Sequence, residues 1–120
     1  MNESAEADTI KASPAPARSH EVATVVSVKM PPHVPREVIL AGFDKAAPDF
    51  KKVPGLIRKS FTVNEEGLGG IYLWTYRAAA EAWFTPAWHS RVITTYGVDG
   101  TVSYYDAPLT IEGSNLDGPI

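Results

Sequence analysis

A short aromatic segment supplies the first candidates for chemistry. Tyr72, Trp74 and Tyr76 alternate with aliphatic and small residues, so in a β-strand they all lie on one face of the sheet. Such a face could line a pocket for a flat, apolar ligand, with Trp74 as its central residue. Plain core packing is the alternative, because aromatic side chains dominate cores. Further aromatic residues at helical positions could join the same pocket: Phe43, Phe50, Trp83 and Trp88.

His89 is the candidate base. Histidine titrates near neutral pH, so it could take the proton of a phenol and leave an electron-rich ring. Arg91 is the candidate for stabilising a developing negative charge. The alternative for both is an ordinary helix residue at or near the surface. The other histidines, His20 and His33, show no ligand spacing with His89, and no metal site is predicted.

Two other patterns are similar to nucleic-acid and phosphate sites, but neither has the residues or the local structure that such a site needs. Lys51, Lys52, Arg58 and Lys59 form a basic cluster that is small and lacks interleaved aromatic residues, which argues against nucleic acid. The glycine-rich segment 64–70 leads into a predicted strand rather than a helix. It therefore lacks the helix N-terminus that cradles phosphate.

Composition narrows the class of protein. The chain has 120 residues, 44% of them hydrophobic, with a formal net charge of −3, which suits one small domain and disfavours a general nucleic-acid binder. The absence of cysteine excludes disulfides, thiolate metal sites and cysteine nucleophiles. No apolar run approaches the roughly 18–20 residues of a membrane helix. We expect a cytoplasmic domain without nucleic-acid or membrane partners.

The ends of the chain differ from its middle. Residues 1–20 are rich in Ser, Ala, Glu and Pro and cannot bury enough apolar area to offset chain entropy. They predict a flexible N-terminal arm, and residues 113–120 predict a loose tail. The remaining domain, residues 21–112, is close to neutral.

The order of elements within this domain is predicted to be β-α-β-β-α-β. Period-2 patterns and turn residues separate the strands, and the second helical region is split at Thr85-Pro86. This order is typical of the α+β ferredoxin-like fold, a four-stranded antiparallel sheet with helices on one face. The predicted strands are 21–29, 56–63, 71–76 and 101–106, and the predicted helices are 35–50, 77–84 and 85–95.

The second face of this sheet needs a cover. The helices can cover one face only, yet the first and third predicted strands carry apolar residues on both faces. An antiparallel sheet that faces water is normally polar on that side. Because the chain is too short to supply a second layer, we predict a homodimer whose sheets face each other across a two-fold axis.

The central segment resembles a known family. Val53-Pro54-Gly55-Leu56, the strand Gly69-Gly70-Ile71-Tyr72-Leu73-Trp74 and the alanine-rich helix after it are similar to small mono-oxygenases of the dimeric α+β barrel superfamily, relatives of the antibiotic-biosynthesis monooxygenases. The resemblance covers roughly residues 22–106. It implies a ferredoxin-like subunit that forms a dimeric α+β barrel, with a pocket between sheet and helices. Trp74 matches the strand aromatic that points into that pocket.

The resemblance also implies an activity. Several relatives oxygenate electron-rich aromatic substrates without metal or flavin, so the predicted protein is an oxidoreductase, a cofactor-independent monooxygenase for a small aromatic or polyketide-like molecule. A non-redox isomerase, cyclase or lyase is one alternative, and a module that binds a hydrophobic metabolite or haem is another. His89 could equally be a haem ligand, because haem-degrading relatives combine a helix histidine and a strand tryptophan with an asparagine on the first strand. That asparagine is missing here.

Overall fold

The computed structural model describes residues 18–114. Within that range the chain forms four strands and three helices, in the predicted order with the second helical region split in two. Their bounds are β1 Val22–Lys29, α1 Arg36–Phe50, β2 Leu56–Val63, β3 Gly67–Trp74, α2 Arg77–Trp83, α3 Pro86–Tyr96 and β4 Gly100–Asp106.

The strands form one antiparallel sheet in the order β2-β3-β1-β4. This is the ferredoxin-like arrangement, which confirms the predicted fold class. On β1 the side chains of Val22, Thr24, Val26 and Val28 are buried, while those between them are more exposed. The helices therefore cover one face, which we call the inner face, and the other is the outer face.

The second helical region breaks where its sequence predicts. Thr85 caps the start of α3, where its hydroxyl accepts a hydrogen bond from the backbone N–H of Trp88 at 3.3 Å, and Pro86 occupies the first turn. The helix ends at Gly97, whose φ of 83° lies in the left-handed region that glycine adopts without strain. These two ends place Trp88 and Val92 against the sheet, where both are buried.

The third strand begins earlier than predicted and ends earlier. The glycine-rich segment is strand from Gly67 onward, and the turn is made by Asn64, whose Oδ1 accepts from the backbone N–H of Glu66 and of Gly67, both at 2.9 Å. Gly69 belongs in the strand because a side chain there would overlap the carbonyl oxygen of Val26. Tyr76 follows the strand and is 54% exposed.

The predicted arm and tail lie mostly outside the described residues. Of the arm, residues 18–20 are described, and the backbone N–H of Ser19 donates to the carbonyl of Pro108 at 2.9 Å. The division into arm, domain and tail stays a prediction. Among residues 18–114, no helix is both long enough and apolar enough to cross a membrane.

Candidate functional site

A cavity of about 330 Å³ lies on the inner face, between the sheet, α1 and α3. Its volume falls at the lower end of the range for small-molecule sites. The lining is largely aliphatic and aromatic, with an amine and two phenols among it: Val26, Val28, Gly42, Phe43, Ala46, Phe50, Lys59, Phe61, Leu68, Gly69, Tyr72, Trp88, Val92, Thr95 and Tyr96.

Three phenylalanines form one wall of this cavity. The ring of Phe61, on β2, lies 5.0 Å from that of Phe43 and 5.5 Å from that of Phe50, both on α1. All three are half-buried rather than sealed in the core. Tilted and edge-on ring pairs of this kind hold one another in place, so the wall is a formed surface for a flat ligand.

Lys59 stands inside the same wall. Its Nζ lies 3.4 Å from the ring centroid of Phe50, 3.9 Å from that of Phe61 and 4.6 Å from that of Tyr72. Burial lowers its pKa from 10.5 to about 7, because desolvation penalises the ammonium. The ring faces attract a cation and act in the opposite direction. The amine therefore exchanges its proton near neutral pH.

A β-bulge and a glycine direct Lys59 inward. Leu56 pairs with Trp74 and Arg58 with Leu73, so Ile57 is an extra residue on β2. Beyond it, Lys59 pairs with Tyr72, on the inner face. The side chain of Lys59 fits there because Gly70 has no side chain. A Cβ at Gly70 would lie only 2.9 Å from Lys59 Cε.

Two tyrosines bring hydroxyl groups to the cavity. Burial raises the pKa of Tyr72 well above its ordinary value and also raises that of Tyr96. The indole N–H of Trp83 acts weakly against this at Tyr72. Trp83 Nε1 itself is buried and has no hydrogen-bond partner among the described residues. Both phenols are therefore proton donors and not bases at neutral pH.

Trp74 lies behind the cavity rather than in its lining. Its ring stacks on that of Tyr72, with centroids 5.7 Å apart and planes 6° apart. It is 0% exposed, and its Nε1–H donates to Thr24 Oγ1 at 3.0 Å. Because its polar atom is already satisfied inside the protein, Trp74 positions Tyr72.

Of the other residues predicted to line the cavity, some do line it and one does not. Phe43 and Trp88 line the cavity together with Tyr72. Trp88 fits closely because Gly100 faces it, and a Cβ at Gly100 would lie 3.1 Å from the Trp88 ring. Trp83 packs 5.3 Å from Phe50 and lines a shallow surface hollow instead.

His89 and Arg91 lie outside the cavity lining. His89 Nδ1 is 2.7 Å from Asp99 Oδ1, and this hydrogen bond lowers the pKa of Asp99. Arg91 is exposed. Trp88 and Val92 occupy the buried stripe of α3, so neighbouring positions on the helix point elsewhere. The catalytic roles predicted for His89 and Arg91 stay predictions.

A second hollow of about 430 Å³ adjoins the cavity, and we call it the mouth. Phe50, Lys59 and Phe61 line both spaces. The mouth adds Lys51 and Arg58, so three of the four residues of the basic cluster line it, and Lys52 does not. Among the described residues no carboxylate lines either space, and Glu112, which pairs with Arg58 at 3.0 Å, belongs to neither lining. Within residues 18–114, no group of three or more acidic or histidine side chains could hold a metal ion.

Sequence comparison decides the family. The model of the family described as "Putative mono-oxygenase ydhR" matches residues 25–108. The chain belongs to this family. The matched range contains every strand of the sheet apart from the first residues of β1, as well as the cavity and its mouth. A search of curated proteins finds no match.

Solved structures share the fold of this family member at low identity. SnoaB of Streptomyces nogalater, described as a cofactor-independent oxygenase, is 18% identical with a TM-score of 0.56, over 79% of this chain and 100% of SnoaB. A Shewanella oneidensis protein is 16% identical with a TM-score of 0.58, over 79% and 98% of the two chains. A Caulobacter crescentus "putative antibiotic biosynthesis monooxygenase" is 18% identical with a TM-score of 0.54, over 76% and 92%.

Proposed function

We propose that this mono-oxygenase family member oxygenates a small aromatic, phenolic substrate with dioxygen and without a cofactor. The observation that carries the proposal is the cavity on the inner face, which is lined by aromatic rings and holds a single amine. Tyr72, Phe43 and Trp88 contact the substrate ring, and Trp74 and Trp83 support them from behind. The likeness to SnoaB, a cofactor-independent oxygenase with the same fold, supports the cofactor-free form of the reaction.

The substrate must supply its own electrons in such a reaction. An anthrone-type methylene gives up two hydrogens, and dioxygen places one atom in the new carbonyl and the other in water. Removal of an acidic proton makes the ring electron-rich, which favours electron transfer to dioxygen. A site for this chemistry needs to hold a flat ring, exclude bulk water and accept one proton. The aromatic walls of the cavity meet the first of these needs.

A homodimer is part of the proposal. On the outer face Val25 is 37% exposed, Ile71 49% and Tyr105 55%, which is an apolar surface where a solvated antiparallel sheet would be polar. A second copy of the sheet, related by a two-fold axis, covers it with matching residues.

Sedimentation tests the dimer. We expect a dimer at micromolar concentration and a monomer for Ile71→Lys, because a lysine at the centre of this apolar face would be buried without a partner. Val38→Lys is the matched control, since Val38 is 56% exposed on α1, away from the sheet. A stable monomer for the unaltered protein would contradict the proposal.

Oxygen uptake tests the reaction. With 1,8-dihydroxyanthrone and dialysed protein in a chelator, we expect dioxygen consumption above the rate of spontaneous oxidation and formation of the anthraquinone. Gly42→Leu is the matched inactive control. Its side chain enters the cavity from α1, where a Cβ at Gly42 meets nothing within 4 Å. Turnover of the substrate to an isomer under anaerobic conditions would show a non-redox enzyme instead.

His89→Ala tests the base predicted from the sequence. Loss of oxygen uptake with unchanged stability would place His89 in the mechanism. Full activity would remove it.

A further inference from the structure

We propose that Lys59 is the catalytic base of this site, which accepts the acidic proton of a phenolic or enolic substrate and then pairs, as the ammonium, with the resulting anion. This rests on the proposed function and assigns its proton-transfer step to a residue. It also defines the substrate class as flat aromatic molecules with an acidic hydroxyl.

Geometry places the amine where a substrate hydroxyl would lie. Nζ faces the cavity from β2, within 3.4–4.6 Å of the centroids of Phe50, Phe61 and Tyr72. These rings and Lys59 itself line the cavity. A flat ligand resting on the phenylalanine wall therefore has its rim beside Nζ.

The charge of the lining favours an anionic partner for this amine. Within residues 18–114 no carboxylate lines the cavity or the mouth, and Lys59 takes part in no ion pair with another described residue. A half-buried ammonium without a counter-ion is costly. A bound phenolate or enolate supplies that counter-ion, so substrate ionisation and lysine protonation stabilise each other.

The other groups that face Lys59 do not compete for the proton. From β3 and α3 come the phenols of Tyr72 and Tyr96, whose pKa values are raised by burial, so both stay protonated. From the mouth come Lys51 of the α1 end and Arg58 of β2, both exposed to solvent. Of the described residues that line the cavity, the neutral amine of Lys59, with its pKa near 7, is the one group able to accept a proton at neutral pH.

The step balances without further reagents. The lone pair of Nζ forms a bond to the substrate proton, the O–H bond breaks, and its electron pair stays on oxygen. The products are an ammonium and a phenolate in contact. Dioxygen, the oxidant of the proposed function, reacts afterwards with the anion.

The first experiment reads the proton transfer without turnover. 2-Naphthol absorbs at longer wavelength once it ionises, so titration of its absorbance measures its pKa in the complex. We expect bound 2-naphthol to have a pKa at least one unit lower than free 2-naphthol with the unaltered protein and with Lys59→Arg. We expect no such shift with Lys59→Met, which keeps the apolar stem but not the charge. An equal shift in Lys59→Met would overturn the proposal.

The second experiment separates charge from base. Arginine stays protonated, so Lys59→Arg should still bind the anion and yet lose turnover. Both Lys59→Met and Lys59→Arg should lower kcat for 1,8-dihydroxyanthrone about 100-fold or more, the usual range for loss of a general base. The pH profile of the unaltered protein should rise through pH 7, and the residual activity of Lys59→Met should not. Lys52→Met, which removes an exposed amine nearby, should change neither readout.

The outcomes keep this proposal and the oxygenase function apart. Dioxygen consumption with unchanged kcat and pH profile in Lys59→Met would overturn the role of Lys59 and leave the oxygenase function standing. A naphthol shift that depends on Lys59, in a protein that consumes no dioxygen, would overturn the oxygenase function and support Lys59 as the proton acceptor.

Discussion

The inner face of the sheet has two halves that differ in how they are filled. The closed half lies where β1 and β3 pass under α2, and there Thr24, Trp74 and Ala80 are each 0% exposed. The open half lies where β2 and β3 pass under α1, and there Lys59, Phe61 and Phe50 are half-buried around the cavity. Tyr72 is shared between the halves, since its ring stacks on that of Trp74 and it also lines the cavity, where Lys59 Nζ lies 4.6 Å from its ring centroid.

The two halves treat their polar atoms differently. In the closed half, Trp74 Nε1 and Thr24 Oγ1 satisfy each other at 3.0 Å. In the open half, Lys59 Nζ has ring faces beside it and no acceptor among the described residues. Lys59 Nζ is not among the fully buried side-chain atoms that lack a partner in the described residues, so the open half leaves this amine accessible to solvent and to a ligand. The closed half stabilises the fold, and the open half is the part to which we assign the proposed chemistry.

Trp74→Ala should produce the largest loss of stability. Removal of a fully buried tryptophan costs about 3–5 kcal/mol, and Thr24 would also lose its partner. Phe43→Ala, in the open half, should cost less than half of that, because its ring is half-buried beside existing space. Denaturant midpoints measure both changes. Equal losses would show that the cavity wall is as tightly packed as the core.

The second-largest expected effect is a pH dependence of the free energy of unfolding that arises from Lys59, in the open half. Below pH 7 both the folded and the unfolded chain carry the Lys59 proton, so the cost of the buried ammonium is fully present. Between pH 7 and 10.5 the folded chain releases the proton while the unfolded chain keeps it, so the free energy of unfolding rises with pH. Lys59→Met should lack this rise. Chemical denaturation at several pH values below the ordinary tyrosine pKa of 10.0 avoids the titration of unfolded Tyr72.

Thr24→Val should lower stability by a smaller amount. It leaves the Trp74 indole N–H buried without an acceptor, which costs about 1–3 kcal/mol. Ligand binding should be almost unaffected, because Thr24 does not line the cavity. A large loss of 2-naphthol affinity together with unchanged thermal stability would reverse the assignment of the two halves.

Gly42→Ala should produce the smallest effect, and a gain. A Cβ at this position of α1 meets nothing within 4 Å, and alanine stabilises a helix by about 0.5–1 kcal/mol relative to glycine. Thermal melting measures the gain. A loss of stability would mean that α1 packs closer to the sheet around Gly42 than it does in this structure.

Sequence patterns predicted the fold well because period-2 alternation marks both faces of β1 and β3. They misplaced the start of β3 because glycine is typical of turns, whereas Gly69 is required by the close approach of Val26. The patterns also placed Tyr72 and Trp74 on the same face of β3, which is the inner face in the structure. A pattern cannot tell whether a buried ring meets space or another side chain.

The sequence of β2 contained a pattern that indicates burial of Lys59, but lysine is not normally expected at a buried position. Lys59, Phe61 and Val63 share one face of β2, and a lysine in such a series is a candidate for burial. Lysine normally faces solvent, however, and the extra residue at Ile57 interrupts the count. His89 differs from Lys59 in position, since the buried stripe of Trp88 and Val92 fixes the rotation of α3 and leaves His89 outside the cavity lining, while its catalytic role stays a prediction.

The bulge at Ile57 allows the length of β2 at the mouth to change without a change in the residues that line the cavity. Leu56 opposite Trp74 and Arg58 opposite Leu73 would be consecutive pairs of an uninterrupted ladder if Ile57 were deleted. Lys59 would stay opposite Tyr72. Ile57 is 42% exposed and lines the mouth. Shortening or lengthening the chain at this one position is therefore a route by which homologues or engineered variants could admit ligands of different size while keeping the same reactive amine.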